Sequence, residues 1–105
     1  MNEELMEIAF GIITFAGEAK FMTKEALKLA REGKFTEARE KLEEAKNTLN
    51  GAHKNQTALI TKEANEEKVE MSVVLVHSQD HLMTTMSEIS LAEELISMYE
   101  LIYNK

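Results

Sequence analysis

Apolar residues recur at alternating steps of three and four along almost the whole chain, which is the period of an α-helix with one buried face. In the first segment Leu5, Ala9, Ile12, Ala16, Ala19, Ala26 and Ala30 form one stripe. Ile8, Ile12, Phe15, Ala19, Met22, Ala26 and Leu29 form a second beside it. Together they make an apolar face wider than a single helical neighbour covers. Glu32-Gly33-Lys34 interrupts the run, with Gly33 where a helix C-terminus favours a left-handed residue. Thr36 is placed to cap the next helix, and Glu37 falls in its first turn, where the dipole favours a carboxylate.

The second helix follows Phe35, Ala38, Leu42, Ala45, Leu49, Ala52, Gln56 and Leu59, its small Ala positions permitting close approach to a neighbour. The polar stretch from Ala64 to Lys68 offers Asn65 as the stop, and the helical period resumes from Val69 to Tyr103. The pattern thus predicts helices over 3–32, 36–64 and 69–103, each roughly 40–50 Å long at about 1.5 Å per residue. Short connections between three long helices imply an all-α, up-down-up three-helix bundle. Gly11 and Gly17 sit inside the first helix, where each costs about 1 kcal/mol relative to Ala. Close helix contact and simple tolerance both account for them.

At 105 residues the chain is expected to be a single domain, 1–105. A domain of this size hides only roughly 60–70% of its unfolded surface, so association with other chains would help stabilise it. The absence of Cys excludes disulfides, thiolate zinc sites and a thiol nucleophile, and fits a reducing compartment. A net charge of −7 without a Lys/Arg cluster argues against nucleic acid and against an anionic membrane surface. The apolar stretch from Ile8 to Ala16 is far shorter than the roughly 20 residues that span a bilayer. It also follows Glu3, Glu4 and Glu7, whereas a secretory signal starts with positive charge. A soluble, cytoplasmic protein with no direct membrane insertion is expected.

Candidate chemistry concentrates on the third helix. Projected at 100° per residue, Val73, Val76, Asp80 and Met83 share one stripe, so a carboxylate interrupts an apolar seam. If that seam is buried, Asp80 needs a partner, a proton or a metal; if it is exposed, Asp80 is merely hydrated. His77, His81, Thr84 and Glu88 occupy a neighbouring polar stripe. Two His one turn apart can chelate a divalent metal with Asp80 nearby, can pair a nucleophile with a hydrogen-bonding assistant, or can belong to an ordinary exposed face. On the second helix His53 and Gln56 lie one turn apart, and Gln56 breaks the apolar stripe. Such a residue either sets register or reaches a functional group on a neighbouring helix.

Three segments bear a family resemblance. Val76-His77-Ser78-Gln79-Asp80-His81-Leu82-Met83-Thr84 resembles the VH-x-QDHLMT signature of the lactose/cellobiose-type IIA proteins of the bacterial phosphoenolpyruvate-dependent sugar phosphotransferase system. Phe15-Ala16-Gly17-Glu18-Ala19-Lys20 is similar to that family's first-helix AG-x-A segment, and Ala52-His53 with Gln56-Thr57 to its second-helix AH-x-x-QT segment. Ser78, where Ala or Gly is usual, is a small departure.

The resemblance implies a homotrimer and a phosphohistidine carrier, a phosphotransferase component of enzyme II. His77 would accept a phosphoryl group from phospho-HPr and pass it to a Cys of the cognate IIB component. The membrane IIC component would handle the disaccharide, with cellobiose, diacetylchitobiose and lactose all open. His77 would sit in a groove between subunits, with Gln79, His81 and Gln56 as neighbours of the phosphoryl group. Asp80 would lie near the three-fold axis, where three carboxylates can hold Mg²⁺ or another divalent cation.

The chemistry is consistent with this. Free imidazole, with a pKa near ~6.5, is largely neutral at cytoplasmic pH and offers a lone pair to phosphorus. A loose, in-line transition state asks chiefly for positioning and for donors around the equatorial oxygens. Three axial carboxylates repel unless a cation or protons intervene. The competing readings are a helical metal-binding protein using His77, Asp80 and His81, and a structural helical adaptor without chemistry.

Overall fold

A computed structural model describes residues 3–105 as three helices, α1 (Glu3–Arg31), α2 (Phe35–Ala64) and α3 (Val73–Tyr103), and no strand occurs among the described residues. The helices form an elongated bundle of 56 × 20 × 19 Å. The direction of the chain alternates, so α2 runs antiparallel to both others while α1 and α3 run parallel. Contacts fix the register: Asn55 lies against Ile8, Arg39 against Glu100, and Thr85 against Ala16.

The first α1 stripe is the buried one. Leu5, Ala9, Ile12, Ala16, Ala19, Ala26 and Ala30 pack with Ala38, Leu42, Ala45, Leu49 and Ala52 of α2 and with Leu75, Leu82, Ile89, Ala92 and Ile96 of α3. Alanine dominates the α1 contribution and alternates with leucine along α2, so those two axes approach closely while Leu and Ile fill the remaining space. The second stripe is only partly covered: Ile8, Met22 and Leu29 pack against the core edge, and Phe15 lies with its ring against Gly51 and about a third of its surface exposed. Gly11 has the close-contact explanation, because a Cβ there would collide with the Asn55 amide. Gly17 faces open space.

The helix ends depart from the sequence expectation in two places, each for a local reason. At the first turn Gly33 adopts φ 80°, and two hydrogen bonds, Lys34 N to Leu29 O at 2.9 Å and Gly33 N to Ala30 O at 3.0 Å, close the end of α1. This tight closure brings the chain round so quickly that α2 starts at Phe35, with Lys34 as its cap residue and no side-chain capping bond. Thr36 therefore lies inside the first turn instead of capping it. Phe35 is held there by Tyr103, whose ring meets it edge-on with centroids 5.5 Å apart.

The second departure is larger. α2 ends by the same pattern, Glu67 N to Lys62 O and Glu66 N to Glu63 O, both at 3.0 Å. Here the left-handed residue is Glu66 at φ 61°, while Asn65 keeps φ −88° as the cap. α3 then begins at Val73, not at residue 69, because Ser72 in an extended conformation caps it, its hydroxyl accepting from Leu75 N at 3.1 Å. Val69 falls in the connection and packs against the core edge. Lys62 fastens this corner, pairing with Glu4 at 3.0 Å and with Glu67 at 3.6 Å.

Candidate functional site

His77 is the fifth residue of α3 and is exposed, while the residues on either side of its row, Leu75, Ser78 and Leu82, are buried. The helix thus presents the imidazole outward from a fixed base. Ser78 belongs to that base: fully buried, its hydroxyl donates to Leu75 O at 2.6 Å, which satisfies the polar group within the helix.

His81 stands one turn on, its ring edge-to-face with His77 at a centroid distance of 5.1 Å and an interplanar angle of 69°. Its backbone carbonyl accepts from Thr85 Oγ1 at 2.6 Å, and Thr84 Oγ1 donates to Asp80 O at 2.8 Å. Burial, then the neighbouring His77, then Lys20 hold the His81 imidazole below its ordinary range, with Glu88 opposing them. A depressed value keeps this ring neutral, with one N–H to donate and one lone pair.

Gln79 and Gln56 meet across α2 and α3. Gln56 Nε2 donates to Gln79 Oε1 at 2.9 Å, so the polar interruption of the α2 stripe does reach a neighbouring helix. Gln79 Nε2 is buried and has no acceptor among the described residues. Both side chains line a groove between α2 and α3 that also includes Leu59, Val69, Val76 and Asp80.

Asp80 lies on the stripe expected from the pattern, and that stripe faces outward in the single chain. Val73 is 86% exposed and Met83 54%, and Asp80 is exposed between them. No three or more His, Asp or Glu side chains among the described residues converge to hold a metal ion. The reading of His77, Asp80 and His81 as a ligand set within one chain therefore finds no support. Asp80 offers a single carboxylate per chain, so an ion at this position would need further copies. His53 makes no contact with this group; its carbonyl accepts from Thr57 Oγ1 at 2.9 Å within α2.

The structure adds one element that the pattern did not single out. Lys20 of α1 crosses to the polar face of α3, where its ammonium donates to Thr84 Oγ1 at 3.1 Å and pairs with Glu88. Glu88 was visible as the end of the His77 stripe, but its partner lies 68 positions away. Only the parallel register of α1 and α3 brings the two together, and apolar periodicity does not encode that register.

Comparison with known proteins finds likenesses over nearly the whole chain. The family model for the lactose/cellobiose-specific IIA subunit of the PTS system matches residues 7–100. The chain is 45% identical over 100 residues to the lichenan-specific phosphotransferase enzyme IIA component of Bacillus subtilis, covering 95% of this chain and 91% of that protein. The crystal structure of the PTS cellobiose-specific enzyme IIA from Bacillus anthracis superposes with a TM-score of 0.96 at 42% identity, over 100% of this chain and 96% of that one. The IIA(Chitobiose) chain in its solution complex with HPr, from Escherichia coli, superposes with a TM-score of 0.83 at 41% identity, over 97% and 99% of the two chains.

Proposed function

This chain belongs to the lactose/cellobiose-specific IIA family of the sugar phosphotransferase system, and on that premise we propose that it is a cytoplasmic phosphoryl carrier acting through His77. The observation that carries the reading is the exposed His77 imidazole, presented from a buried helical base with the His81 ring against it, in a chain without Cys. A relative that forms a complex with HPr supports phospho-HPr as the donor.

In the forward step a ring nitrogen of neutral His77 attacks phosphorus in line. The bond from phosphorus to the donor breaks and its electron pair leaves with the donor. The proton that His77 gives up from its other ring nitrogen is balanced by the one that the donor takes up. Phosphohistidine then takes up on its free ring nitrogen the proton that a Cys thiol of the cognate IIB component releases. The thiolate attacks phosphorus as the N–P bond breaks with its electron pair going to the ring, and His77 returns to its starting state. The loose transition state asks for donors around the phosphoryl oxygens; His81, whose ring stands against that of His77, is the first candidate, with Gln79 and Gln56 as further neighbours. Sugar recognition belongs to the membrane IIC component, which this chain serves indirectly. A disaccharide fits the relatives named for cellobiose and chitobiose.

The working form is a homotrimer of this single domain. The exposed Val73, Val76 and Met83 stripe supports that assembly, because apolar residues in line along a helix favour burial against copies. Asp80 within the stripe would bring three carboxylates together, and Mg²⁺ or another divalent cation would offset their charge.

The test is incubation with enzyme I, HPr and phosphoenolpyruvate, followed by mapping of the acid-labile adduct by mass spectrometry. One phosphoryl group on His77, and none on a His77→Ala variant of unchanged helicity, is expected. Label on His81 or His53 with His77 unmodified refutes the assignment.

A further inference from the structure

We propose that Lys20 is the cation that stabilises the phosphorylated state of His77, and that Glu88 sets how much of its charge is available. The inference rests on the carrier reading above and extends it to two residues outside the motif.

His77, His81, Thr84 and Glu88 stand in succession along one face of α3, and Lys20 enters this row from α1 at the level of Thr84. Along the axis, Thr84 lies about 10 Å from His77 at ~1.5 Å per residue, with the His81 ring between them. The ammonium already acts on His81 through space. The charged or titratable groups around the row are Lys20 from α1 and His77, Asp80, His81 and Glu88 from α3.

Phosphorylation changes the balance at one end of this row. Before it, Lys20 and Glu88 neutralise each other, and with side chains 23% and 44% exposed their pair is held weakly. Afterwards His77 carries a group of roughly −2 charge, similar in demand to other phosphorylated side chains. A lysine is a compact charge on a flexible stem, so part of its hold on Glu88 can loosen while it stays at Thr84, and its charge then acts along the row on the phosphoryl group. Thr84 supports this placement, because its hydroxyl donates to Asp80 O and leaves its lone pairs to the ammonium. Glu88 opposes the shift by competing for the same cation. The two residues therefore have opposite effects on the phosphorylated state although they form one ion pair in the resting chain.

The experiment is the phosphoryl-transfer equilibrium with phospho-HPr, read as the ratio of phosphorylated to free His77 by native mass spectrometry at low and high salt. Lys20→Met is expected to lower the equilibrium constant about fivefold and Glu88→Gln to raise it about threefold, with Lys20→Arg near the parent value and all differences shrinking at high salt. Circular dichroism melting of each variant separates folding losses from these shifts. A purely structural ion pair would make both substitutions lower the melting temperature and leave the equilibrium where it was. Label on His77 with unchanged equilibria, or with both variants shifted in the same direction, overturns the inference. No label on His77 of the parent chain sinks the carrier reading itself, a separate and distinguishable result.

Discussion

Gln56 on α2 and Gln79 on α3 share a 2.9 Å hydrogen bond that ties the antiparallel helices together two residues from His77. Gln79 then has its oxygen satisfied and its nitrogen buried without an acceptor. Gln56→Leu would leave both ends of Gln79 unpaired, a loss of roughly 1–3 kcal/mol. Thermal melting should show a drop of several degrees, given about 4–8 °C per kcal/mol in a domain of this size. Adding Gln79→Leu should recover part of that drop, because no stranded amide remains. Fully additive losses in the double variant would mean that the two amides are not coupled.

His81 predicts a specific acid sensitivity. Its folded-state value is held below the ordinary imidazole range by burial, by His77 and by Lys20. Between about 6.5 and that lower value the unfolded chain binds more protons than the folded one, so stability falls as the pH drops through this window. Above the ordinary value no such penalty exists. His81→Gln should flatten the decline in melting temperature between about pH 7 and about pH 5. An unchanged slope would assign the acid sensitivity to other groups.

Asp80 predicts a dependence on divalent metal. Three such carboxylates on an axis would repel at close range, and replacing buried charge with an apolar residue of similar volume is often neutral or stabilising by about 1–4 kcal/mol. Asp80→Leu should keep the trimer, as measured by sedimentation equilibrium, and should melt at the same temperature with and without EDTA. The parent should lose thermal stability with EDTA near neutral pH, and lose less at acid pH where the carboxylates share protons. Dissociation of the Asp80→Leu protein into monomers would remove Asp80 from the axis.

The two helix ends predict effects of opposite sign. Glu66 sits at φ 61°, a left-handed conformation that costs a residue with a Cβ about 1–2 kcal/mol. Glu66→Gly should therefore raise the melting temperature. Gly33 at φ 80° has the residue its geometry requires, and a Cβ there would also meet the Tyr103 ring. Gly33→Ala should lower the melting temperature by more than the first change raises it.

Helix number and order and the buried faces of α1 and α2 were legible from apolar residues at three-four spacing, whereas on α3 the stripe that stood out, Val73, Val76 and Met83, faces outward and the buried row through Leu75, Leu82, Ile89 and Ile96 was not marked. The α1 stripe from Leu5 to Ala30 is buried as expected. Gly33 marked its turn plainly, since glycine takes up that left-handed conformation at no steric cost. The start of α3 was harder to place. Val69 to Met71 continue the helical composition, and only the Ser72 side chain bonding to Leu75 N shows that the helix begins after them. Cap geometry depends on backbone angles that composition does not report. Within the candidate site, His77, Asp80 and His81 stood out by clustering on one helix, and Gln79 only through the family resemblance. Lys20 did not, because its meaning depends on the register of a helix pair that is not consecutive in the chain.

That same register governs when the site comes into existence during synthesis. α1 and α2 are consecutive and antiparallel, so they can fold against each other while the remainder of the chain is still being made. The bonds joining α3 to α1 span the greatest distances along the chain, 64 residues for Lys20 to Thr84 and 69 for Thr85 to Ala16, against 47 for Asn55 to Ile8 within the hairpin. The imidazole row and its cation are thus completed only when the last helix docks. A truncated product ending before that helix would keep a stable-looking hairpin yet lack every group from His77 to Glu88, so incomplete chains could not intercept phosphoryl groups meant for the finished carrier.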